Sequence, residues 1–471
     1  MTFTPRIQPE IYRLLAAWRY LEHAALKITA GWGRGAADWQ DKLAVCHHVW
    51  LQAQIVERLR RRLAMYPGGR EEAPVPQAFE DLANHLLLAR DFPQAMAGLH
   101  TILHPALARA YTHYLTQAHP VHDRPTLDIL HEILALKSTQ ARWYEDYRTR
   151  NPAPLDPAYL DRAQAYLAHL GHLTQPLPPT EPHARPCGQR AELAMPVTPG
   201  RVKHWNHAPN IMPFLQTDWA HSVEARRLYF MIGYFWEMGV AENQLRWIYY
   251  ADFMPWDFVL AESRHLWDES RHGNSGLARL HDFGLDIADI GYSSYGAHGE
   301  GTLAPMTPRE VYEAFYHVTQ IAETGYFETK RYCFQDFAAG GDDASAEMMQ
   351  FDIIDETSHV EYGRLWLDEM ARRAGISEDY RLRGQRDRAA AQAASDARVA
   401  QLRAARAGHV PQAPGTDLGG SAVYNPAAGG DLATLRNPAA QTHCGRLLQI
   451  LRDRQPLRNI ATAPQRPNLP M

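Results

Sequence analysis

Asp268-Glu269-Ser270-Arg271-His272 and Asp355-Glu356-Thr357-Ser358-His359 are two copies of one short pattern. Each follows a lone glutamate at nearly the same distance, Glu237 by 32 residues and Glu323 by 33. Residues three apart share one face of a helix, so each Glu-x-x-His offers a carboxylate and an imidazole to the same point. The chemistry implied is metal binding, because four carboxylates converging in a helical core repel one another and lose their hydration unless cations join them. Two divalent ions held by Glu237, Glu269, His272, Glu323, Glu356 and His359 meet that need. Mixed carboxylate and imidazole donors suit iron or manganese better than structural zinc; two iron ions are the default, with Mn/Fe and Mn/Mn left open. Asp268 and Asp355 are expected just outside, accepting the outer N–H of a ligand histidine, with Arg271 balancing their charge and Asp352 nearby as an extra carboxylate.

Helix pairs with tight turns would position these groups. If the first pair turns near Met254-Pro255 and the second near Gly340-Gly341, Glu237 lies about as far before its turn as Glu269 lies after it, and likewise Glu323 and Glu356. All six side chains then meet in one layer of a four-helix bundle. A third Glu-x-x-His, Glu262 to His265, sits one heptad before Glu269 and His272. With 24 histidines among 471 residues a single match carries little, whereas the doubled pattern with paired upstream glutamates is hard to obtain by accident. His265 reads as a hydrogen-bonded structural histidine, the alternative being a second carboxylate layer of Glu242, Glu262 and His265. Gly273 and Gly276 inside the ligand-bearing helix suggest either a cavity beside the metals or a local bend or π-bulge.

Sliding the chain on itself by 217 residues aligns Trp39 with Trp256, His48 with His265, Trp50 with Trp267 and Arg62 with Arg279, seven identities in 25 gapless positions. In that register Gln52 faces Glu269 and Ile55 faces His272, and a two-residue change of offset brings Glu22 opposite Glu237. The expected architecture is therefore all-α: residues 1–150 form a helical bundle without metal ligands and residues 201–377 the di-metal bundle. Residues 151–200 read as a proline-rich linker around one short helix at 159–170. Residues 378–471 read as a helical, then Gly/Pro/Ala-rich tail.

A net charge of −5 gives no footprint for nucleic acid, and no run of 18 apolar residues occurs. Cys46, Cys187, Cys333 and Cys444 form no Cys-x-x-Cys pair or disulfide framework. A soluble, cytoplasmic protein with a small-molecule substrate is the expectation, and a homodimer is compatible with it. His204 and His207 read as hydrogen-bonded or exposed rather than ligating.

Carrying this motif set, the chain resembles the ferritin-like di-iron carboxylate superfamily, of the rubrerythrin and bacterial di-iron oxygenase type, over about residues 219–370 and weakly over 4–147. The resemblance implies two ferritin-like four-helix bundles, with the ligands on the six residues named above. The tyrosine that radical-forming members carry after the first Glu-x-x-His is Gly276 here, and the extra histidine of the N-oxygenases is Asp352, so neither of those reactions gains support. What remains is an O2-dependent non-haem di-iron oxygenase or oxidase of a small organic substrate. The alternative is a ferroxidase or peroxide-handling protein, and a scaffold is the weakest of the three. Phe230, Phe235, Trp236, Tyr316, Tyr326 and Phe327 would line a substrate pocket or belong to plain core. Lacking a glycine-rich nucleotide fingerprint, the chain needs an external electron donor, a reductase or ferredoxin.

Overall fold

The computed structural model describes residues 8–178, 180–186, 200, 208–219, 222–291, 305–405 and 437–454. His204, His207, Cys187 and most of the Gly/Pro/Ala-rich stretch lie outside them. Among the described residues the fold is all-α, with only an isolated bridge between Pro76 and His183 in extended pairing. No helix among them is long and apolar enough to cross a membrane.

The chain divides into two compact units. The first comprises Met1–Arg201, Gln244–Trp267 and Glu300–Pro305; the second comprises Val202–Asn243, Asp268–Gly299 and Met306–Met471. In the first unit α1 (Gln8–Gly33) packs along α2 (Trp39–Ala64), and α3 (Gln77–Leu87) follows. Next come α4 (Phe92–Ala97), a π-helical segment (Gly98–Leu103), α5 (His104–Gln117) and α6 (Arg124–Arg150). Asp38 and Asp91 cap α2 and α4, each accepting a backbone N–H from the first turn. At the core, Trp18 stands edge-on to Tyr111 and Tyr114 and donates its indole N–H to the Leu173 carbonyl at 3.0 Å.

The proline-rich segment does more than connect. Its helix α7 (Pro157–His169) buries Tyr159, Ala163 and Leu167 on one face, and Leu170 and Leu173 follow them into the core. The Tyr159 hydroxyl donates to the Leu86 carbonyl at 2.6 Å, and the Arg185 backbone N–H reaches Glu80 at 2.7 Å. Prolines interrupt this stretch, but apolar residues at helical spacing between them fasten it to the first unit.

The second unit holds α8 (Met212–Asp218) and the site-bearing parts of the helices that follow, residues 244–267 of them belonging to the first unit. α9 (Val223–Tyr250) leads through a short 3-10 turn at Ala251–Phe253 to α10 (Trp256–Asp282), which is followed by α11 (Ile287–Ile290). α12 (Pro308–Tyr316) runs through a second π-helical segment (His317–Ala322) into α13 (Glu323–Ala339). Gly341, at φ 81°, then allows the reversal into α14 (Asp343–Ala374), which packs against α12 and α13. α15 (Tyr380–Ala405) and α16 (Pro438–Arg454) complete the unit. Asp342 caps α14 and sits fully buried between two arginines, its carboxylate 2.6 Å from Arg227 and 3.0 Å from Arg279.

Candidate metal centre

All six expected ligands lie in the second unit, on four helices. Glu237 comes from α9, Glu269 and His272 from α10, Glu323 from the start of α13, and Glu356 and His359 from α14. α9 and α10 are held close by glycine. A Cβ on Gly276 would stand 2.3 Å from the Phe235 backbone nitrogen, and one on Gly273 would stand 2.9 Å from that of Met238. The two glycines therefore serve backbone-to-backbone packing and make neither a cavity nor a bend. The π-helical turn occurs elsewhere, directly before Glu323, where the wider turn resets which face of α13 that carboxylate occupies.

The two histidines are arranged alike. His359 Nδ1 is 3.4 Å from Glu269 Oε1 and 3.3 Å from Glu323 Oε1. His272 Nδ1 is 3.3 Å from Glu237 Oε2, 3.4 Å from Asp352 Oδ1 and 4.0 Å from Glu269 Oε1. Glu269 thus stands between the rings. Each outer nitrogen points to the aspartate of the opposite motif: His272 Nε2 lies 3.3 Å from Asp355, and His359 Nε2 lies 3.4 Å from Asp268. Arg271 bridges those aspartates, touching Asp268 and reaching Asp355 at 2.7 Å.

Ligand atoms of Glu269, Glu323 and His359 fall within 4.8 Å of one another, as do those of Glu237, Glu269 and His272, and those of Glu237, Asp352 and Glu356. His272 Nδ1, Glu237 Oε2 and Glu356 Oε2 are buried and make no hydrogen bond. Orphaned donors facing one another are what a cation would satisfy, so the residues present fit a pair of divalent ions. The charge balance agrees, since burial raises the Glu237 carboxyl to about 7, with Glu269 adding to the rise and His272 and Lys330 opposing it. Burial and then Asp352 push Glu356 well up. Burial disfavours a charged His272, but Asp352, Asp355 and Glu237 outweigh it and raise that ring well above its usual value. Protons sit where metal charge would otherwise be needed.

Sequence reasoning missed Lys330, whose buried ammonium contacts Glu356 and lies 2.6 Å from Asp352. The signal was present: Lys330 follows Glu323 by seven residues and shares its helical face. Asp352 stands closer in than expected, among the candidate ligand atoms. His265 lies 3.2 Å from Glu262. Of the aromatics, Phe230, Phe235 and Trp236 are buried, and the Trp236 N–H is taken by the Gly291 carbonyl. The Tyr316 hydroxyl turns to Asp387, while the ring of Tyr234, not singled out by sequence, stands T-shaped to His272 at 6.2 Å.

The first unit holds a buried cluster at similar spacing built from other residue types. His104 follows its π-helical segment as Glu323 follows the other, and Lys137 and Gln140 come 33 and 36 residues later, at the spacing of Glu356 and His359 from Glu323. Glu22, fully buried, accepts hydrogen bonds from Gln52 and Tyr111, and Lys137 Nζ lies 2.8 Å from it and 2.7 Å from His104 Nδ1. Here an ammonium supplies the positive charge.

The same unit predicts an acid response. Burial drives the pKa values of His48 and His104 well down, His100 adding to the effect on the first, and Lys137 with His100 on the second. Below about pH 6.5 the unfolded chain takes up protons at these rings while the folded one does not, so their contribution is complete above that pH and is lost as pH falls. Each histidine should steepen the loss toward about 1.4 kcal/mol per pH unit. Urea unfolding midpoints from pH 8 to pH 5 should fall accordingly, and a flat profile would contradict the buried neutral state.

Comparison with protein-family models, with curated proteins and with solved structures finds no match to this chain.

Proposed function

We propose that α9, α10, α13 and α14 form a ferritin-like four-helix bundle holding two iron ions, and that the protein is an O2-dependent non-haem di-iron oxygenase or oxidase of a small organic substrate. The first unit would be a second, metal-free bundle. The observation that carries the reading is Glu269 between two inward-facing imidazole nitrogens, in a ring of buried carboxylates with orphaned oxygens. When bound, the iron pair supplies the electrons that reduce dioxygen, and an external donor must replace them. The chain's own residues do the rest. Asp268 and Asp355 accept the Nε2 protons and so fix the tautomer that turns each Nδ1 lone pair toward the carboxylates. Packing around Phe235 and Tyr234 excludes bulk water from the buried carboxylates, while Glu237, 18% exposed, marks the most open side.

A ferroxidase or peroxide-handling role is the second reading. It is favoured by the closed contact at Gly273 and Gly276, which removes the substrate cavity expected beside them, and by the partly exposed Glu237 as a route for ions.

The test is to load the metal-free protein with ferrous iron anaerobically and mix it with O2 in a stopped-flow spectrometer. A coloured transient that lasts until an organic substrate is added supports the oxygenase, and immediate ferric product supports ferroxidase chemistry. Absence of iron binding would sink both.

A further inference from the structure

The outer side of α14 is apolar. Phe351, Ile354 and Leu365 are 58%, 57% and 64% exposed, three of the seven large hydrophobic side chains so open among the described residues. Phe351, Ser358 and Leu365 follow one another at intervals of two helical turns, and Ile354 comes three residues after Phe351, so all four lie in one stripe. The opposite face of the same helix carries Asp352, Glu356 and His359 into the buried centre. Single exposed hydrophobic residues are ordinary, whereas a contiguous run of them marks an interface. Glu361, the charged residue inside the stripe, is already paired with Arg364. Charge is also uneven along the helix. From Asp343 to Tyr362 it has acidic residues and no lysine or arginine, whereas its last turns hold Arg364, Arg372 and Arg373, with Asp368 and Glu369 between them.

We infer that this stripe seats a second copy of the chain, with the two α14 helices packed antiparallel about a two-fold axis at Ser358. A surface docks on its own copy only if it is self-complementary. Turned about Ser358, Phe351 meets Leu365 of the second copy, each seven residues from the axis, and Ile354 meets Tyr362, each four residues from it. Farther out the acidic first turns, with Asp343 and Glu347, face the end that holds Arg372 and Arg373. Parallel packing would instead set acid against acid and align the two helix dipoles. Exposed ion pairs contribute little, so the charges choose the direction while the apolar stripe supplies the attraction. Ser358 is small and exposed, which lets the helices approach closely where they cross. Neither copy needs a bound metal for this contact. Its consequence for the centre is positional, because the helix that bears Glu356 and His359 is then held from both sides, by its own bundle and by the second copy.

The test is sedimentation velocity on the full chain at about 1–100 μM, a range that brackets a micromolar complex, for the wild type and for Phe351→Glu. The wild type is expected to run as a dimer at the upper end, and Phe351→Glu to associate at least about 30-fold more weakly, as loss of a central interface anchor does. Ser358→Cys places two thiols at the axis and should give a disulfide-linked dimer under mild oxidation, which the wild type does not form. A wild type that stays monomeric throughout would overturn the inference and assign the stripe to a different partner. A dimer that Phe351→Glu leaves intact, or a Ser358→Cys chain that does not cross-link, would overturn it as well. Should Phe351→Glu not fold, as judged by circular dichroism, Leu365→Glu at the other end of the stripe takes its place, with the same expected loss and the same reversing outcome.

Discussion

Glu269→Ala is expected to weaken binding of both metal ions, by more than the roughly 10- to 100-fold that loss of a supporting hydrogen-bond partner costs a metal site. The reason lies in its place between the rings, 3.4 Å from His359 Nδ1 and 4.0 Å from His272 Nδ1, where no other carboxylate named here approaches both. Metal content after equilibrium dialysis, measured by elemental analysis, checks this. The matched control is Glu22→Ala in the first unit, which should leave metal content unchanged while destabilising the fold, because Lys137 would lose its buried counter-charge. Retention of both metals by Glu269→Ala, or loss of metal from Glu22→Ala, would reverse the roles given to the two units.

The second large effect is on stability. Asp342→Ala should cost about 3–5 kcal/mol, because it takes from the buried Arg227 the carboxylate 2.6 Å away and from Arg279 one of its two carboxylates, Asp282 remaining. Arg227 and Asp342 are fully buried and Arg279 nearly so, and burial already lowers the Arg227 pKa against the attraction of Asp342. The same substitution removes the cap of α14, worth about 1 kcal/mol more. Urea denaturation of the second unit, followed by tryptophan fluorescence, should show the midpoint shift. Asp342→Asn, which keeps a capping oxygen but not the charge, separates the two contributions.

The gathering of the six side chains was legible because it depends on helical spacing alone: two Glu-x-x-His pairs, two upstream glutamates and turns near Met254 and Gly340 bring them onto facing helices. The crossed pairing of Asp268 with His359 and Asp355 with His272 follows from the same repeat. Other features depend on distances between helices, which spacing does not encode. Gly276 read in sequence as either a cavity or a local bend or π-bulge, and the structure sets the backbone of a neighbouring helix against it. Lys330 was missed because its partners Asp352 and Glu356 lie on another helix. The packing of residues 151–186 was hidden by prolines that mask a short apolar face.

The π-helical turns before His104 and Glu323 bear on how such a chain can change. A helix is read by its angle as well as its order, and one residue more or less turns everything beyond it by about 100°. Side chains can be exchanged one at a time, as Lys137 and Gln140 at the spacing of Glu356 and His359 illustrate, and each exchange leaves its neighbours facing where they did. Deleting the extra residue of a π turn would instead rotate the whole downstream face of α5 or α13 out of the core at a single stroke. The wide turn is thus the part of either arrangement that a point substitution leaves in place, and both units contain one.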